Sequence, residues 1–150
     1  MKKLFLIILV LLASATCANA SIFDKYTLSR EDLPEEARNM LDEYFPKAKI
    51  GMIKIDKHLL KKTDYDVRLV NGTTIEFNNK GKWTSVDCKK REVPEGLVMK
   101  SIRNNVSKKF NGAKIVSVKK KSSGYEIGLS DGVLVKYDLL GIYKGTVLEE

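Results

Sequence analysis

Two periodicities alternate along the chain. Leu33, Ala37, Met40, Leu41, Tyr44 and Phe45 recur at helical spacing, with Asp32 suited to the cap, Pro34 to the first turn and Pro46 to the stop. Later, Val98, Ile102, Val106 and Phe110 make an i+4 stripe, opened by Pro94 and ended by Asn111-Gly112. After each helix the period shortens to two. The pattern predicts strands over residues 49–56, 64–69, 73–77 and 82–87, then over 114–120, 125–129, 133–137 and 142–148. Tyr65, Val67 and Leu69 share a face with Ile75 and Phe77 only if the intervening turn respects parity. A two-residue Asn71-Gly72 turn would set Val67 against Glu76. A three-residue loop, Val70-Asn71-Gly72, sets Val67 opposite Ile75, Tyr65 opposite Phe77 and Asp66 opposite Glu76, with Gly72 in the left-handed bulge position. Ser130-Asp131-Gly132 repeats that arrangement.

The pattern reads as a duplication. Leu33-Pro34-Glu35 recurs as Val93-Pro94-Glu95, and Phe45 to Ile50 as Phe110 to Ile115. Tyr65-x-Val67-x-Leu69 recurs as Tyr125-x-Ile127-x-Leu129. Ile75, Phe77, Gly81 and Trp83 match Val135, Tyr137, Gly141 and Tyr143. The offset is 60 residues at both ends and 65 in the middle, which predicts a second helix one turn longer and a shorter first hairpin in the second copy. The expected fold is α+β: a tandem duplication of a helix followed by a four-stranded antiparallel sheet. The helices are expected on one face, with an open sheet face on the other. The divisions are a leader over 1–20, an N-terminal segment over 21–32, repeats over 33–88 and 93–150, and a connector over 89–92. A 60-residue half alone is marginal, so one structural unit is expected, with the two sheets contiguous or nearly so.

The doubled order of helix, Tyr-x-Val-x-Leu, Asn/Asp-Gly, Ile/Val-x-Phe/Tyr and Gly-x-Trp/Tyr resembles the PepSY-like family of small exported proteins, common in Bacteroidetes and described as beta-lactamase-inhibitor-like. The resemblance covers nearly all of residues 33–148. It implies tandem helix-plus-sheet repeats related to the fold of beta-lactamase inhibitory protein, a periplasmic or surface location, and no established catalytic residues. PepSY domains proper are associated with protease inhibition, an association by fold.

The first 20 residues carry Lys2-Lys3, an apolar run from Leu4 to Leu12 too short to span a bilayer, and a small-x-small site at Ala18-Asn19-Ala20. A signal peptide cleaved after Ala20 is expected. The rival is a lipoprotein signal ending at Cys17, whose preceding residues fit poorly. Cleavage removes Lys2 and Lys3, taking the formal charge from +8 to +6, and leaves Cys88 as the lone cysteine of the mature chain. Cys88 reads as a small buried residue at a strand end, or else as an intermolecular bridge or reactive thiol.

One His and two Cys leave little for metal clusters or thiol catalysis, and no nucleophile elbow, phosphate loop or zincin motif occurs. A His58–Cys88 dyad is disfavoured because His58 sits in a Lys-rich hairpin. No cofactor and no enzymatic activity are expected. The candidate protein-binding face comprises Asp64, Asp66, Arg68, Glu76, Trp83, Glu126, Lys136 and Tyr143. Asp66 and Glu76 form a carboxylate pair there, and Glu126 and Lys136 a cross-strand ion pair. Trp83 and Tyr143 have two readings, as rings closing the core under each helix or as anchors on the open face. Lys61, Lys62, Lys119, Lys120 and Lys121 form a candidate basic pole. The expected function is an exported, non-enzymatic binding module for an unidentified envelope protein, an inhibitor or modulator. The alternative is small-ligand or calcium binding on the same face. Export argues against nucleic acid, membrane contact is expected to be at most peripheral, and oligomeric state is left open.

Overall fold

The computed structural model describes residues 24–57 and 63–148. Its strands are β1 (Asp24–Thr27), β2 (Ile50–Asp56), β3 (Asp64–Leu69), β4 (Thr74–Phe77), β5 (Trp83–Asp87), β6 (Ile115–Lys121), β7 (Gly124–Leu129), β8 (Val133–Tyr137) and β9 (Tyr143–Leu148). They form one antiparallel sheet in strict chain order. Two ten-residue helices, α1 (Glu35–Tyr44) and α2 (Lys100–Lys109), are inserted after β1 and β5.

This corrects the expected pair of helix-plus-four-strand units. β5 and β6 pair directly through Ser85–Lys119, Val86–Val118 and Asp87–Ser117, so the sheet has no internal seam. The physical reason is that two separate sheets would each leave an unpaired strand edge where they meet. A ninth strand, β1, comes from the N-terminal segment, where Asp24-Lys25-Tyr26-Thr27 pairs with Ile53–Asp56. Its sequence lacks alternation, and the partner strand imposes the extended conformation.

The second helix is corrected as well. Pro94 opens a separate 3-10 turn, Glu95–Leu97, and Val98 and Met99 are extended before α2 begins. Both helices therefore have the same length, and Val98 reaches the core from extended backbone. Asp32 closes another 3-10 turn, Arg30–Asp32, and accepts a hydrogen bond from Lys25 instead of capping α1.

The register between β3 and β4 pairs Tyr65 with Phe77, Asp66 with Glu76 and Val67 with Ile75, as turn parity demands. Register continues across the buried face as one row: Ile53, Val67, Ile75, Val86, Val118, Ile127 and Val135. Each is at most 1% exposed. β-Branched side chains suit this pleated surface, and each buried one contributes about 1.5–3 kcal/mol. Ala37, Met40 and Leu41 of α1 and Ile102 and Val106 of α2 join the same core cluster. Both helices thus cover one face of the sheet. Among the described residues, no helix is long and apolar enough to cross a membrane.

Candidate binding face

Alternation that buries the β-branched row sends the neighbouring residues to the other face. A second row crosses all nine strands there: Tyr26, Lys54, Asp66, Glu76, Ser85, Lys119, Glu126, Lys136 and Gly145. The charge of this face is unevenly distributed. Asp24, Asp56, Asp64, Asp66 and Glu76 gather on β1–β4, whereas Lys119, Lys121 and Lys136 lie on β6–β8.

On the acidic side, Lys54 is the local counter-charge. Its Nζ lies 2.8 Å from Asp56 and 3.3 Å from Asp24. The hydrogen bond to Asp56, with Asp24 second, holds the ammonium well above its usual range against the cost of desolvation. Asp66 lies opposite Lys54 in register. Burial, then Glu76 and Asp56, push its carboxyl above the usual range, while Lys54 opposes them. Asp56, Asp64, Asp66 and Glu76 share an acidic depression of about 220 Å³ with Asn78 and Thr84. Arg68 is exposed between Met52 and Thr74 and lines a neighbouring depression of about 340 Å³.

On the basic side, Glu126 lies opposite Lys136, but its ion pair runs to Lys121, at 2.6 Å. The expected Glu126–Lys136 ion pair is therefore a register pair only. Lys119 reaches back over β5 to Glu76, at 4.0 Å, and is the cross-link between the two charged regions.

Trp83 and Tyr143 are on the helix side, against the core, and so are not part of the open face. Each ring carries an ammonium. Lys120 Nζ stands 3.3 Å from the Trp83 centroid, and Lys109 Nζ 3.7 Å from that of Tyr143. Tyr143 also meets Tyr137 edge-on at 6.1 Å. Lys120 is thereby separated from Lys119 and Lys121, which face the other way. Burial, and then Lys82, pull its ammonium below the usual range, with Glu36 opposing. Lys61, Lys62 and His58 lie outside the described residues, as do the expected leader and its expected cleavage site.

Cys88 is buried and free. Burial raises its thiol pKa, a hydrogen bond with Thr73 opposing, so the first of its two readings holds at neutral pH.

Sequence reasoning missed Asp24, Asp56 and Tyr26 on this face. Parity within the second strand places Asp56 with Lys54, a signal that was present. Nothing in the local pattern announces β1. The face as a whole offers complementary charge over a broad exposed surface. Its carboxylates are neither enclosed nor set against a nucleophile.

A family model described as "Putative beta-lactamase-inhibitor-like, PepSY-like" matches residues 63–144. Among solved structures, a "putative periplasmic protein of unknown function" from Bacteroides vulgatus is 35% identical with a TM-score of 0.79, over 83% of this chain and 98% of its own. A second protein from that organism, also described as a "putative periplasmic protein", is 30% identical with a TM-score of 0.78, over 85% and 99%. A Bacteroides thetaiotaomicron protein, described as a "putative calcium-regulated periplasmic protein", is 27% identical with a TM-score of 0.77, over 83% and 96%. No curated protein matches the chain.

Proposed function

The chain belongs to the PepSY-like, beta-lactamase-inhibitor-like family, and from that premise we propose that it is an exported, non-enzymatic module that binds another protein of the cell envelope through its open sheet face. The observation that carries this reading is the open face, where Asp24, Asp56, Asp64, Asp66 and Glu76 outnumber Lys54 and Arg68 on β1–β4, while Lys119, Lys121 and Lys136 outnumber Glu126 on β6–β8. An uneven charge of this kind steers a partner of complementary pattern and fixes its orientation. The relatives described as periplasmic support an exported location. Inhibition is the form of binding the family description suggests.

The test is affinity capture from detergent-solubilised envelope, comparing the wild-type chain with Asp66→Lys/Glu76→Lys and with a helix-side control, Lys109→Gln. One protein retained at moderate salt by the wild type and the control, but lost by the double variant, is the expected result. Equal retention by all three removes the open face from the interaction. Titration of the purified partner's activity then separates an inhibitor from a silent binder.

A second reading, cation binding on the same face, draws on the relative described as calcium-regulated and on the acidic depression. It is the weaker, because among the described residues no group of three or more acidic, His or Cys side chains is placed to hold a metal ion. Calorimetry with calcium decides it: no heat up to about 1 mM, the weak end of extracellular calcium modules, removes the reading.

A further inference from the structure

Two turns of the sheet share a backbone and differ in their surface. Between β4 and β5, Asn78 Oδ1 accepts from the N–H groups of Lys80 (3.0 Å) and Lys82 (3.1 Å). The Asn78 N–H donates to the Lys82 carbonyl, and the Gly81 N–H to the Asn78 carbonyl. Between β8 and β9, Asp138 Oδ1 accepts from Leu140 (3.0 Å) and Ile142 (2.8 Å), with the same two backbone bonds. Gly81 and Gly141 have φ values of +79° and +77°. The turn therefore requires an acceptor at its first position and glycine at its fourth. It places no demand on the side chains between and after them.

Those free positions hold Asn79, Lys80 and Lys82 in the first turn and Leu139, Leu140 and Ile142 in the second. The three aliphatic residues are 59%, 73% and 56% exposed. They stabilise neither the turn nor the core, and such a patch marks an interaction site. Lysines lie at the same end of the sheet. Lys121, Lys136 and Lys144 line a depression of about 310 Å³ that includes Tyr137, the residue preceding the turn. Lys144 is held by Asp138 at 3.4 Å and Lys121 by Glu126, whereas Lys136 makes no ion pair among the described residues. On the helix side, Gly141 abuts Ser101 and Ile102, which brings Lys100 and the partly exposed Met99 to the same end.

We propose that this end of the sheet docks on an anionic phospholipid bilayer. Leu139, Leu140 and Ile142 enter the acyl boundary while Lys100, Lys136 and Lys144 meet lipid phosphates. Charge decides between a bilayer and a protein pocket. The open face presents charges of both signs for a partner to match, whereas an exposed aliphatic tip flanked by lysines is the pattern of elements that lie in an anionic headgroup layer. The site is distinct from the open-face row, apart from the shared Lys136.

The test is co-sedimentation of the processed chain, recovered from the envelope of an expressing cell, with vesicles. One set contains phosphatidylglycerol and phosphatidylethanolamine, the other phosphatidylcholine alone. Binding to the first set, weakened by salt and absent from the second, is expected. The triple variant Leu139→Asn/Leu140→Gln/Ile142→Gln should lower the partition coefficient at least about tenfold, the loss of several buried methylenes. Its melting temperature should not fall, because the turn's hydrogen bonds use none of these side chains. Leu140→Trp should add blue-shifted emission with anionic vesicles only. Asp66→Lys/Glu76→Lys should still bind, which separates this proposal from the open-face reading. Absence of wild-type binding, or equal binding by the triple variant, overturns the proposal, as does capture of the tip by a soluble protein without vesicle binding.

Discussion

Gly124 shows how closely single positions are specified. Its φ is +143°, and a Cβ there would stand 2.0 Å from the Tyr137 carbonyl oxygen. That oxygen belongs to the adjacent strand and cannot retreat without disturbing the sheet. Gly124→Ala is expected to destabilise the protein by roughly 2–4 kcal/mol in urea unfolding, among the larger single-residue costs. Asp66 gives a pH-dependent expectation. Its carboxyl is raised in the folded state, first by burial and then by Glu76 and Asp56. The stability linked to its protonation is present below about pH 3.9, the ordinary carboxylate value, and is lost as pH rises through the elevated folded value. Asp66→Asn should therefore raise the melting temperature at pH 7 and lose that advantage near pH 3, read by thermal denaturation at both. The positions of Asp66 and Glu76 were legible because Val70-Asn71-Gly72 sets parity. The crowding around Asp66 was not, since Asp56 comes from a strand that only tertiary pairing places beside it.

At the level of elements, the strands were readable from alternation, whereas their surroundings were less so. Val98 imitates a helical position by its spacing to Ile102, yet Gly96 between Pro94 and Val98 permits a tight turn there, and that turn places Val98 in the core from extended backbone. Gly96 also accommodates the ring of Tyr44, which a Cβ would approach to 2.6 Å. The connector between β5 and α2 contains a clamp that no pattern announces. Arg91 Nη2 donates to the Asn71 carbonyl at 2.7 Å and to Thr73 Oγ1 at 3.0 Å, tying the connector to the β3–β4 turn. Thr73 is fully buried. Arg91→Ala removes a charged donor from a buried acceptor, and a loss of about 1.5–3 kcal/mol is expected in chemical denaturation. Arg91→Lys should recover only part of it, because a single ammonium does not reproduce the planar guanidinium fork.

For the molecule as a whole, the direct β5–β6 pairing has the largest effect. Helical and strand periods report on local structure and carry no information on whether strands separated by α2 lie side by side. The duplication in the sequence therefore suggested two four-stranded sheets, contiguous or nearly so, where the chain builds one nine-stranded sheet. One core cluster spans both halves. A single cooperative transition is expected, with Trp83 fluorescence and far-ultraviolet dichroism giving coincident urea curves. Separate transitions would mean that the halves are energetically independent. A fragment restricted to residues 33–88 should fail to fold, since it loses the β6 partner of β5 and the β1 partner of β2.

The strict chain order of the sheet also bears on folding kinetics. Each strand pairs with its immediate predecessor, so no strand must wait for one synthesised or translocated much later. Chain closures stay short except where a helix intervenes, which keeps contact order low for a sheet of this size. A chain emerging N-terminus first from a secretion channel could add hairpins in succession, with an open leading edge until the next strand arrives. Stopped-flow refolding monitored at Trp83 should accordingly be faster than for sandwich folds of similar length. Variants at the β5–β6 junction, the longest closure, should slow it most.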